Sequence, residues 1–350
     1  MPWGALASWL DRIDPGTHRR IKGLRLVTAF GLAALVGALH DVSGDFSRGA
    51  FLTPLAGGLA LWASVSEGQL TRWQSARDLT LLVTAAVAGA SLMALASPRL
   101  ALLGTVAPEA ALVTGAFLVS YLRRFGRLGT GLGSQIYTGQ LLAYGLGLAP
   151  ADLPMLAVAW LIAVPAAIVP RMLSGPAERP DPAPPRPSTV AEARLGFSPE
   201  LVMGLQAAIS AVAIVALTGT LGLQHSVWAI TASTYVVAST ASGTRERVRR
   251  RVVGTFFGVP LGLACLPIAE HAPVLIWAAA ALAMVIYAMS LPARYDIACG
   301  AFAFTLIVTL AASGEHSISH LAARLWETAL GGAFGVVSAS LFLPLRPKPA

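Results

Sequence analysis

The sequence predicts an all-α polytopic membrane protein with about 12 transmembrane helices, arranged as two parallel six-helix repeats that form a pseudo-dimer. Three observations carry that expectation. The 350 residues are 55% hydrophobic and only 12% charged, at a mean hydropathy of +0.68, whereas a soluble domain carries charge at about a quarter of its positions. Apolar runs of roughly seventeen to twenty residues recur, long enough to cross a bilayer as helices. They lack the alternation of a membrane β-barrel strand. Finally, the basic residues collect in alternate loops, as orientation in a membrane requires. The net charge of +8 therefore reports topology and not nucleic-acid binding.

The spans follow in order. Residues 1–25 form a cytoplasmic N-terminal segment whose acids, Pro15 and Gly16 precede any long apolar run, unlike a cleavable signal peptide. The first repeat, 26–173, holds spans at 26–39, 50–66, 79–96, 108–122, 131–148 and 155–173. A cytoplasmic linker, 174–200, is dense in proline and lacks a core. The second repeat, 201–344, holds spans at 201–221, 227–241, 252–268, 273–291, 297–312 and 325–343, before a cytoplasmic tail at 345–350. Six spans per half is an even number, so the halves are expected to be parallel, related by an axis along the membrane normal. With both termini inside, all but three of the 25 Lys and Arg fall on the inner side, the exceptions being Arg48, Arg99 and Arg324. Five of the six histidines, His40, His225, His271, His316 and His320, fall outside.

Polar and aromatic side chains inside the spans are the candidate solute path. Trp228, Thr231, Tyr235 and Ser242 share one face of the eighth span, and Tyr137, Gln140 and Tyr144 one face of the fifth. At an offset of 165 from the fifth, the eleventh span offers Phe302, Thr305 and Thr309. Rings beside hydroxyl and amide groups suit a flat, partly apolar solute with a polar tip. Interhelical hydrogen bonding and an interfacial aromatic belt explain the same residues without any solute. Arg245 to Arg251 place five arginines in seven residues, of which Arg249, Arg250 and Arg251 are candidates to gather anions at the inner mouth. Anchoring the topology is their plainer use. Arg324 and Glu327 lie three apart at the start of the last span, as a static pair or as a proton or gating pair. Glu109 follows Pro108 at a helix start, where the helix dipole alone favours a carboxylate.

No nucleotide-binding or hydrolytic motif is present, so no enzyme activity and no cofactor are expected. No metal is expected either. His316 and His320 have helical spacing but no third ligand in sequence, and Cys265 and Cys299 fall toward opposite membrane faces, too far apart for a disulfide.

The second half resembles the fusaric acid resistance protein-like family, which includes bacterial aromatic acid exporters. The residues that carry the resemblance are His225-Ser-Val-Trp228-Ala-Ile-Thr231, the basic run Arg245 to Arg251 with Gly254-Thr255 and Gly258, and Arg324-Leu-Trp-Glu327-Thr-x-x-Gly331. The first half departs from that pattern, with Arg48, Phe51 and Gly58 where the second has His225, Trp228 and Tyr235. The resemblance implies a multi-pass exporter in the bacterial inner membrane that moves aromatic or related organic carboxylate anions outward, coupled to proton entry. Its partners are then the lipid bilayer, a small organic anion and protons. A passive organic-anion channel and a structural membrane protein with no solute path remain alternatives.

Overall fold

The computed structural model describes residues 14, 18–43, 52–68, 71–174, 197–223, 226–312 and 317–345. Among the described residues there is no strand, and a helix lies at each predicted span. In chain order these are α1 (His18–Ser43), α2 (Leu52–Ser66), α3 (Arg72–Ala101), α4 (Leu112–Tyr121), α5 (Gly126–Gly145) and α6 (Leu153–Leu173). The second set is α7 (Pro199–Leu221), α8 (Ser226–Val236), α9 (Ala241–Ala264), α10 (Pro273–Ser290), α11 (Tyr295–Ala312) and α12 (Ile318–Leu341). A 3-10 turn, Ala107–Ala111, leads into α4, and a short helix, Leu266–His271, follows α9. Four helices are long and apolar enough to cross a membrane by length and composition: His18–Asp41, Arg72–Ala101, Pro150–Leu173 and Pro199–Leu221. Most of the expected linker and all of the expected tail beyond Leu345 lie outside the described residues.

Several boundaries differ from the apolar runs, for one physical reason. Hydroxyl side chains cap helices within the polar segments, so the helix starts before the hydrophobic stretch does. Thr71 accepts from the Gln74 amide at the start of α3, Thr240 from Gly243 at α9, and Ser317 from His320 at α12. The arginine run thus belongs to the first turns of α9, whereas the expected span began at residue 252. The N-terminal segment is similarly shortened, because α1 begins at His18. At the other extreme α8 stops at Val236 and not at residue 241. Val236 and Val237 crowd a helix at χ1, and the freed groups are met by α9: Arg247 donates to the Val237 carbonyl and the Ala238 amide donates to Thr244 Oγ1.

Packing repeats between the two sets. In each set the third helix lies along the fifth, α3 on α5 and α9 on α11, and in each the approach is made at glycine. A Cβ on Gly89 would fall 2.0 Å from the Ile136 carbonyl oxygen, and one on Gly258 would fall 2.2 Å from that of Gly300. The sets meet through α4 on α7 and α10 on α1, again equivalent positions. Inside the first set α2, α3 and α6 enclose a core of small and branched residues, including Leu59, Leu82, Val83, Ala86, Ala159 and Ala163. The outward surface carries exposed Leu35, Leu161, Phe257, Leu261 and Leu282, an apolar surface suited to lipid.

Candidate functional site

The polar stripes of α5 and α8 face each other across the seam between the two sets. Tyr137, fully buried, shares a hydrogen bond with Thr231 at 3.0 Å, and its ring stands edge-on to Tyr235 at 5.8 Å. One turn toward the arginine run, Tyr235 pairs with Ser134 at 2.9 Å. Gln140 is turned the other way. Its amide donates to the Ala111 carbonyl and to Thr114 Oγ1, which pins α5 to α4, while Oε1 is buried with no hydrogen-bond partner. At the far end Tyr144 donates to Glu109 at 2.8 Å, and Ser226 at the start of α8 donates to the other carboxylate oxygen. Glu109 is therefore more than a helix-start acid: it joins α5 of one set to α8 of the other.

Behind this seam, the interior bounded by α8, α9, α11 and α12 holds two buried cations. Arg324 is 4% exposed and lies over the Trp228 ring at 4.4 Å and the Phe302 ring at 5.2 Å. Its Nε and Nη1 have no hydrogen-bond partner. Arg251 is also buried; Nη1 reaches the Tyr295 hydroxyl at 3.3 Å and Nε has no partner. The two guanidinium groups are within electrostatic reach of each other and of Cys299, and Glu327 is within reach of Arg324. Glu327, fully buried, lies one helical turn beyond Arg324. The guanidinium stacks on rings, so the cation–π face is occupied while its donor edge is unbonded.

The three consecutive arginines separate in role. Arg249 is exposed and Arg250 half-buried, both bind Glu246, at 2.9 and 2.7 Å, and of the three only Arg251 is buried. Burial together with the neighbouring Arg247 pulls half-buried Arg123 down to about 10, and Glu200 opposes the shift. Tyr295, Arg123 and Ser134 were not among the sequence candidates. Tyr295 was masked by its flanking charges Arg294 and Asp296, which pair with each other on the surface.

Three further sequence candidates, Thr305, Thr309 and Ser242, do not join the cluster. The Thr305 hydroxyl reaches the Ala280 carbonyl of α10 and Thr309 bonds within its own helix, so both serve packing. Ser242 leaves the α8 face because α8 ends at Val236; it sits in the first turn of α9 beside Thr240. His225 and His316 lie outside the described residues. Cys265 and Cys299 are free thiols, and among the described residues no three His, Cys, Asp or Glu group together.

The arrangement defines a class: a helical membrane protein with paired buried cations among aromatic rings. Residues 209–338 match the sequence model described as fusaric acid resistance protein-like, a family of membrane transport and efflux proteins. The match lies in the second half of the chain and includes α8, α9, α11 and most of α12, the helices that enclose Arg251 and Arg324. No curated protein and no solved structure matches the chain.

Proposed function

We propose that the chain is a transporter of organic anions, and that Arg251 and Arg324 bind the anionic group of an aromatic or related carboxylate during export across a bacterial inner membrane. One observation carries the reading: two arginines are buried in contact with hydroxyl and aromatic groups, with three N–H positions unbonded. A buried cation costs several kcal/mol of desolvation, which Glu327 offsets in part for Arg324 without bonding its donor edge. Here the unbonded donors match the two oxygens of a carboxylate, which guanidinium groups bind through parallel hydrogen bonds. Trp228, Phe302, Tyr137 and Tyr235 supply the apolar walls a ring requires.

In this reading all twelve helices lie in the membrane, both termini face the cytoplasm, and the six-helix sets are parallel repeats. The equivalent packing of α3 on α5 and α9 on α11 favours the repeat. Anions arrive at the cytoplasmic mouth through Arg123 and Arg247, pass Arg251, and meet the closed hydroxyl seam of α5 and α8. A seam that must part favours a carrier over a passive channel, and coupling to proton entry then supplies work beyond the membrane potential.

Flux tests this directly, with benzenesulfonate as a permanently charged aromatic probe in proteoliposomes at clamped voltage. Transport that falls at least tenfold in both Arg251→Gln and Arg324→Gln, with the folded fraction unchanged, is the expected result. Equal flux in wild type and both variants would remove the anion site. A current without any response to a pH gradient would instead select the channel.

A further inference from the structure

Glu109 is a buried acid that the anion site does not use, and its two hydroxyl partners come from different sets of helices, whereas buried Asp41 accepts both its bonds from Thr53 within the first set. Glu67 faces Arg25 and Arg171, and Asp78 faces Arg77. Glu109 is 5% exposed, yet its side chain is met by two hydroxyls and by no cation among the described residues. Those hydroxyls come from different sets of helices, Tyr144 from α5 and Ser226 from α8. The other elements packed on this turn are α3, α4, which carries no charged residue, and α7. The nearest charge on α3 is Arg99, which makes no ion pair with Glu109, and α7 brings no charged group to this end.

From this geometry we infer that Glu109 is a proton-binding latch joining the two six-helix sets at the end of the seam opposite Arg251. As a carboxylate it accepts both hydroxyls, and such charge-assisted bonds are about twice as strong as neutral ones. A proton taken from the solution on that side adds to one oxygen and makes a neutral acid. That oxygen then donates, so Tyr144 and Ser226 can no longer both be held as donors to a charged acceptor. The bond across the seam, to Ser226, weakens and the ends of α5 and α8 separate. Loss of the proton to the same solution restores the closed arrangement. The latch needs no solute, and in the exporter reading it makes outward release responsive to external acid.

Spin labels test this without transport. Ala151 and Leu221, exposed positions on the two sets at this end, are replaced by labelled cysteine in a chain carrying Cys265→Ala and Cys299→Ala, and the distance is measured by pulsed EPR across pH. Acidification should widen the distance in the otherwise native protein. Glu109→Gln should show the wide distance at every pH, and Ser226→Ala should do the same while leaving the acid in place, which guards against a folding defect of the first variant. Arg251→Gln should keep the native pH response even where anion flux is lost, so failure of the solute reading and failure of the latch are told apart. A native distance that ignores pH, or a Glu109→Gln distance that still follows pH as wild type does, would overturn the inference.

Discussion

Replacing Arg251 by Gln separates a binding role from a folding role, because the two predict opposite balances of affinity and stability. In the native protein Arg251 has one hydrogen bond, to Tyr295 at 3.3 Å, and an unbonded buried Nε. A contact of that length contributes at the low end of the usual range, about 0.5 kcal/mol, while the buried charge opposes folding by its lost hydration. Glutamine removes both, so thermal stability should hold or rise. Bound carboxylate, by contrast, loses a charge-assisted hydrogen bond of about 1.5–3 kcal/mol, which is roughly 10- to 150-fold in affinity. Calorimetric titration of benzoate into detergent-solubilised protein, beside a melting curve of each variant, reads both quantities. Arg249→Gln is the control, since its side chain is 71% exposed and bound to Glu246, and its benzoate affinity should match wild type. A variant at Arg251 that melts several degrees lower yet binds benzoate normally would refute the reasoning and return this arginine to the scaffold.

Two further predictions concern the frame around the site. Gly89→Ala and Gly258→Ala each drive a methyl into a backbone carbonyl that cannot rotate away, and should cost about 3 kcal/mol or more. Gly31→Ala, with nothing within 4 Å of the added carbon, should instead stabilise by about 0.5–1 kcal/mol, and urea or thermal unfolding in detergent ranks the three. Glu67→Gln removes the carboxylate that Arg171 and Arg25 share at 4.0 and 3.9 Å, and should cost about 3–5 kcal/mol while leaving benzoate affinity unchanged in the protein that folds.

Much of the architecture was legible because hydrophobic runs and loop charges are one-dimensional signals. A helix lies at every predicted span, four of them long and apolar enough to cross a membrane, and helix starts differ where Thr71, Thr240 and Ser317 cap helices in polar sequence that hydropathy alone does not register. The stripe on α5 was legible for a similar reason: Tyr137, Gln140 and Tyr144 share a helix face whatever lies opposite. What lies opposite is a tertiary fact. Nothing in the spacing of Glu109, Tyr144 and Ser226, which span more than a hundred residues, signals that they meet. The inward turn of Arg251 was foreseeable only as a difference among neighbours pointing about 100° apart on a helix; which of the three turns in depends on where α11 lies. Thr305 failed as a candidate because a threonine facing lipid, a neighbour or a cavity has the same sequence appearance.

The two sets use equivalent helix pairs to opposite ends. Where α2, α3 and α6 enclose a dry core of alanine, leucine and valine, α8, α9 and α12 place Thr231, Arg251, Arg324 and Glu327. The seams differ in the same sense. Between α5 and α8 the bridge is a pair of hydroxyls, Tyr137 and Thr231, whereas between α2 and α11 it is an aromatic edge contact of Trp62 on Phe302 at 5.4 Å. The polar ends diverge too, for Glu67, Ser75 and Arg171 form a compensated network in the first set, while Arg123 and Arg247 lie within electrostatic reach of each other near the start of α9, with Glu200 beside Arg123. Folding alone does not favour this: an apolar core of the same volume is as stable as a buried ion pair or more so, and the buried charges Glu67, Asp78 and Arg171 of the first set are paired. In the proposed reading, the unbonded guanidinium donors that Glu327 leaves on Arg324, and that Tyr295 leaves on Arg251, are therefore better explained by a ligand that supplies acceptors. On that argument the proposed transporter has one anion site per chain, and the first set is the rigid body against which the α5–α8 seam opens.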